Sequence, residues 1–157
     1  MGKCVWLVIA ATLAADLGSK WLAASWLSEP PGTFPLLPVF SLTLAYNPGI
    51  SFGLFGASTA TQSWGLSGVG VAIIGLVVWM AIRSCDRWEQ TGYAFIIGGA
   101  IGNVLDRLHD GFVTDFLDFH LGDWRYPTFN LADTAITIGV GILLVRSFTA
   151  QRARLQG

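Results

Sequence analysis

The chain has 157 residues, 53% of them hydrophobic and only 12% charged, with a mean hydropathy of +0.58; a soluble domain carries about 25% charged residues. So few charges cannot cover a water-facing surface of this size, which argues against an ordinary soluble domain and makes lipid the expected solvent. No nucleic-acid partner is expected from a net charge of −1 without a basic run, and the two cysteines, Cys4 and Cys85, are too few for a disulfide framework.

A helix crosses a hydrocarbon core of about 30 Å with roughly 20 apolar residues. The first predicted span runs from about Cys4 to Leu27 and carries Asp16 and Lys20, which at i and i+4 share one helix face. Their ordinary reading is a local ion pair, with Lys20 snorkelling to the outer boundary. The span is longer than the roughly 7–15 residues of a signal-peptide core and is expected to be retained. The loop that follows, about Ser28 to Trp64, opens with the breakers Pro30, Pro31, Gly32, Pro35 and Pro38. Phe40, Leu42, Leu44 and Tyr46 then alternate with Ser41, Thr43 and Ala45, a period of two that predicts a strand. Asn47-Pro48-Gly49 reads as a turn, after which Ile50 to Phe55 are expected to pair back on that strand.

The second predicted span, about Gly65 to Ile82, has no charge. A short loop with Arg83 and Arg87 leads to the third, about Gly92 to Leu108. There Gly98-Gly99-Ala100-Ile101-Gly102-Asn103 offers a small-residue surface on which another helix can approach closely. Asn103, Asp106 and Arg107, at i, i+3 and i+4, read on their own as a polar cluster capping that seam. Val113 to Phe119 alternate again, placing Asp115 with Val113 and Leu117 on one face and Asp118 on the other. For acids in a polar loop, solvation is the ordinary state. Gly122-Asp123 resembles a turn. The fourth span runs from about Leu131 to Phe148. Asn130 and Asp133 at its start are residue types that cap free N–H groups and complement the helix dipole. With no repeat or linker visible, residues 1–157 read as a single membrane-embedded domain.

Lys3, Arg83, Arg87, Arg146, Arg152 and Arg154 mark one side of this arrangement, the cytoplasm by the positive-inside rule. Both termini and both cysteines then lie there. The two outer loops hold Glu29, Asp110, Asp115, Asp118 and Asp123 against Arg125 alone. Trp26, Trp64, Trp88 and Trp124 fall near span ends, as boundary anchors should. The fold class expected is an α-helical integral membrane protein, four transmembrane helices with a small extracytoplasmic β-sheet at the membrane surface.

Charges within spans are costly and point to function. Ser19 and Lys20 are adjacent and point about 100° apart on a helix, which speaks against a Ser/Lys nucleophile. Cys4 and Cys85 lie on the wrong side and have no histidine near. Asp106, Asp110, Asp115 and His120 are possible metal ligands without a diagnostic spacing. Paired carboxylates remain: two close together cannot both ionise, so one serves as base on water while the other donates a proton to a carbonyl. Spacing alone does not choose the pair. A proton relay through Asp16, Lys20 and Asp133 would suit a small transporter, but the ionisable residues concentrate towards the outer ends. A purely structural bundle would not need so many aspartates.

Five blocks in order resemble the signal peptidase II (lipoprotein signal peptidase) family: Asp16-Leu17-Gly18-Ser19-Lys20, Asn47-Pro48-Gly49-Ile50-Ser51-Phe52-Gly53, Gly98 through Arg107, Val113 through Phe119, and Phe129-Asn130-Leu131-Ala132-Asp133. The resemblance implies a monomeric aspartic endopeptidase of the bacterial inner membrane that needs no metal or organic cofactor. It would remove signal peptides from prolipoproteins before a cysteine that carries diacylglycerol, with membrane lipid around it and its site towards the outer face. It implies Asp115 and Asp133 as the catalytic residues. Asp16, Lys20, Asn47, Gly53, Asn103, Asp106, Arg107, Asn130 and Ala132 are implied as supporting or substrate-contacting positions, and globomycin-type cyclic peptides as inhibitors.

Overall fold

The computed structural model describes residues 2–30, 32–49 and 59–155. Among these residues, four long helices, α1 (Lys3–Leu27), α2 (Thr59–Arg83), α3 (Arg87–Asp110) and α4 (Leu131–Leu155), are joined by loops that contribute strands β1 (Thr33–Leu37), β2 (Phe40–Asn47), β3 (Val113–Leu121) and β4 (Trp124–Arg125). The helices run beyond the apolar windows read from the sequence. Hydropathy stops where polar residues begin, whereas backbone hydrogen bonding continues through polar turns outside the hydrocarbon.

α1, α2 and α4 are each long and apolar enough to cross a membrane. α3 is as long but less apolar, because it is packed against all three of the others and turns its surface to protein. Trp6, Leu7, Trp21, Ile82, Val145 and Phe148, on the other helices, are exposed, the inverse of a water-soluble bundle. Trp26, Trp64, Trp88 and Trp124 are exposed as well.

The glycines of α3 work as expected of small residues at a helix seam. A Cβ on Gly98 would lie 2.9 Å from that of Thr12 in α1, and one on Gly99 would strike the Ala132 carbonyl of α4. The carboxylate of Asp86 caps α3, accepting from the N–H groups of Trp88 at 2.8 Å and Glu89 at 3.0 Å. With Arg146 of α4 paired to it as well, these hold the Asp86 carboxyl below its ordinary range. At the other end, Gly111 adopts φ +81° and returns its N–H to the Arg107 carbonyl, a left-handed C-cap.

The strands form one antiparallel sheet in the order β1-β2-β3-β4. The proline-rich segment read as loop is in fact strand β1, pairing Phe34 with Leu42 and Pro35 with Ser41. Pro35 is tolerated because β1 is an edge, where a missing N–H costs no ladder bond. A register shift between Leu42 and Ala45 of β2 bends the β2–β3 pair. Phe116 packs on Ala23 and Leu27, seating the sheet on the end of α1. The Asn47 turn is present, with Asn47 Oδ1 accepting the Gly49 N–H at 2.9 Å. The expected return strand Ile50 to Phe55, and with it Gly53, lies outside the described residues.

Candidate active site

Asn130 is fully buried at the N-terminus of α4. Its Oδ1 accepts the Asp133 N–H at 3.0 Å, and Asp133 Oδ2 accepts the Asn130 N–H at 3.3 Å, a reciprocal capping box. The helix-start reading of this pair is therefore correct, and incomplete. The Asn130 Nδ2 group remains free to donate outward: to Asp115 Oδ1 at 2.7 Å and to Asn103 Oδ1 at 3.1 Å. Asn103 Nδ2 donates to Asp133 Oδ1 at 2.8 Å, and Asn47 Nδ2 to Asp115 Oδ2 at 3.1 Å. Two aspartates from different elements thus share one cradle of asparagine amides. Among the described residues neither forms an ion pair.

Asp115 is 1% exposed. Burial pushes its carboxyl up to about 6; hydrogen bonds from Asn47 and Asn130 oppose the rise and the nearby Asp133 charge adds to it. A group so placed changes protonation near neutrality, as acid–base chemistry requires.

Lys20 does not snorkel. It is 4% exposed, and its Nζ lies 2.8 Å from Asp16 Oδ2, 3.0 Å from Asp106 Oδ2 and 3.0 Å from Asn103 Oδ1. Expelling the ammonium from these partners would leave buried carboxylates without a counter-charge, which costs more than desolvating one amine among them. This cluster sets both aspartates. Asp16 Oδ1 accepts the Ala132 N–H at 2.9 Å, capping α4 from α1, while Asp106 Oδ2 accepts the Thr114 N–H at 3.1 Å at the head of β3. The residues next to Ala132 and Thr114 are Asp133 and Asp115. Arg107 donates to the Asn103 carbonyl at 3.4 Å, and its buried Nε has no partner among the described residues.

Asp118 corrects the solvated reading. It is 1% exposed, accepts the Thr43 hydroxyl at 3.0 Å and pairs with Arg125 of β4. β3 is covered on both faces where it passes the bundle, so alternation did not separate a wet face from a dry one. Ser19 donates to the Asp16 carbonyl at 2.9 Å and is turned away from Lys20. Asp106, Asp110, Asp115 and His120 form no common cluster among the described residues; His120 bonds Ser41 at 3.0 Å instead.

Two supporting features were missed in the sequence. Gly102 leaves room for Asp16, whose carboxylate a Cβ there would strike; its place in the small-residue run was the available signal. The Thr114 N–H carried no signal, being backbone.

Fold and site together define a class: a helical membrane protein with buried acid–base groups gathered where a surface sheet meets the bundle. The sequence pattern of the family described as signal peptidase (SPase) II matches residues 8–149. The chain is 40% identical over 156 residues to the lipoprotein signal peptidases of Shigella boydii serotype 4 and of Escherichia coli K12, covering 98% of this chain and 94% of each relative. Two solved structures, described as a bacterial membrane enzyme studied by the in meso method, superpose with a TM-score of 0.78 at 24% identity. The first covers 94% of this chain and 89% of its own, the second 91% of each, which establishes the shared fold. The chain belongs to the signal peptidase II family, and is a membrane-embedded peptidase.

Proposed function

We propose that this peptidase removes the signal peptide of bacterial prolipoproteins by cutting before a diacylglyceryl-modified cysteine, with Asp115 and Asp133 as its catalytic pair. The observation that carries this reading is the single Asn130 side chain donating 2.7 Å to Asp115 while capping Asp133. With one carboxyl ionised and one protonated, the first takes a proton from water as it attacks the scissile carbonyl. The second donates to the carbonyl oxygen. When the tetrahedral intermediate collapses, a proton passes to the cysteine's departing amine. Asn47, Asn103 and Asn130 orient the carboxyls. Asp16, Lys20, Asp106 and Ala132 fix the elements that carry them. Arg107 supports the fold or holds substrate and takes no part in proton transfer, since a guanidinium keeps its proton. By its place in the motif that resembles the family, Gly53 is read as a substrate contact, and globomycin-type peptides would compete there. The protein works as a monomer without a metal or organic cofactor.

In this reading all four helices span the cytoplasmic (inner) membrane, both termini are cytoplasmic, and the sheet lies on the outer face. Reporter fusions after Arg87 and Arg154 should report cytoplasm, and those near Glu29 and Asp123 the outside; an external C-terminus would reverse the orientation. Acyl chains on the substrate cysteine hold the scissile bond at the membrane boundary, level with the aspartates. Purified protein should therefore cut a diacylglyceryl-modified precursor and leave its unmodified twin intact. Equal cleavage of both in detergent would overturn the lipid requirement.

A further inference from the structure

The helix faces that carry the site continue to the opposite end of the bundle. On α3, Glu89, Tyr93, Ile96, Ala100, Asn103 and Arg107 recur at steps of three and four and so share one face. On α4, Asp133, Thr137, Val140, Leu144, Ser147 and Gln151 do the same. Each stripe covers about five turns, about 27 Å, close to the roughly 30 Å of a hydrocarbon core. Where the stripes end there is a cavity of about 700 Å³, lined by Met80 of α2, Glu89 and Tyr93 of α3, and Val140, Leu144 and Ser147 of α4. α3 is its floor and the other two helices its walls.

The charge at this end is uneven. Arg83, Arg87, Arg146 and Arg152 lie towards this end of α2, α3 and α4, but none of them lines the cavity. Asp86 is occupied, capping α3 and pairing with Arg146. Glu89 accepts only the Ser84 hydroxyl, at 2.7 Å, and forms no ion pair among the described residues. Among the described residues Glu89 is the only charged side chain lining this cavity, and its carboxylate offers a cation a favourable position.

Resting on the reading given under Proposed function, we propose that the α3–α4 stripe seats the apolar segment of the signal peptide and that Glu89 receives a Lys or Arg of its basic n-region. The lengths agree. A signal peptide has a basic n-region followed by about 7–15 apolar residues. At 1.5 Å per residue a helix of the longest such segments, about 15 residues, reaches about 23 Å, and a short extended stretch at the cleavage site covers the remainder. The n-region then arrives beside Glu89 when the scissile bond lies between Asp115 and Asp133. Glu89 is thus a specificity residue a membrane's thickness away from the reacting atoms.

The test uses the purified full chain and three diacylglyceryl-modified precursor peptides differing only in the n-region: lysines, glutamines or glutamates. With the parent protein, replacing lysine by glutamine should raise KM about two- to fivefold, the range of a partly exposed ion pair, and glutamate should raise it further. Glu89→Gln should remove the lysine–glutamine difference, and Glu89→Lys should invert the ranking in favour of the glutamate peptide. Equal KM for all three peptides with the parent, which needs no variant to fold, would overturn the proposal. So would a Glu89→Gln effect of the same size on every peptide, the result expected if Glu89 serves the fold or binds a cationic lipid headgroup. The underlying reading fails separately: in that case the parent leaves all three peptides uncut, or Asp115→Asn cuts them as well as the parent.

Discussion

Asp115→Asn and Asp133→Asn should each reduce cleavage of a lipidated precursor by at least about 10²–10⁴-fold, the usual contribution of acid–base help, while the protein stays folded. Asparagine matches aspartate in size but takes no proton from water at neutral pH. Because the pair acts as a unit, the double variant should be little worse than either single one. In the parent the rate should change near pH 6, where burial places the Asp115 carboxyl, with apparent values that belong to the pair. The same position gives a stability test. The folded-state value lies above the ordinary 3.8, so the folded protein holds the extra proton. Its stabilising contribution is full at low pH and is lost as pH rises from about 4 through about 6. Asp115→Asn should flatten that part of the melting-temperature profile. Asp118→Asn, three residues on, should cost less activity and leave the pH profile in place, because Asp118 engages Thr43 and Arg125 and not the asparagine cradle. Loss of activity in Asp118→Asn with Asp115→Asn unimpaired would move the assignment to the wrong side of the strand.

Lys20→Met should be the most destabilising single change in the bundle. It leaves Asp16, which is fully buried, and Asp106, which is 8% exposed, without their shared cation. Breaking a buried ion pair by removing one partner costs about 3–5 kcal/mol. Asp16 caps α4 and Asp106 anchors β3, so the loss should loosen both carriers of the proposed catalytic pair. Gly102→Ala should act in the same direction without changing any charge, since its methyl group strikes the Asp16 carboxylate. Detergent-solubilised protein followed by thermal unfolding would show both. A Lys20→Met protein that melts with the parent would mean that the cluster does not hold these elements.

The membrane class, the helices and the face alternation of β3 follow from local properties: apolar length, the count of charges and a period of two. These are set within a dozen or so neighbouring residues, and the sequence displays them directly. β1 was hidden because Pro35 and the prolines flanking the strand argue against it until an edge position removes the need for an N–H at Pro35. The family pattern picked out Asp115 and Asp133, but spacing along the chain did not, because nothing local states which outer aspartates meet.

That pairing is a tertiary fact. Asp16 reaches Ala132 across 116 residues and Lys20 reaches Asn103 across 83, contacts that exist only once Gly98, Gly99 and Gly102 let the helices close on one another. The sequence alone determined that costly charges sit in apolar helices and that they gather towards one end. Only the packed bundle decided that Lys20 turns inward to three partners and that Asp118 is buried against Arg125. It likewise decided that one asparagine joins two aspartates. The free energy of a buried charge depends on the neighbours that surround it, and those neighbours come from other segments of the chain.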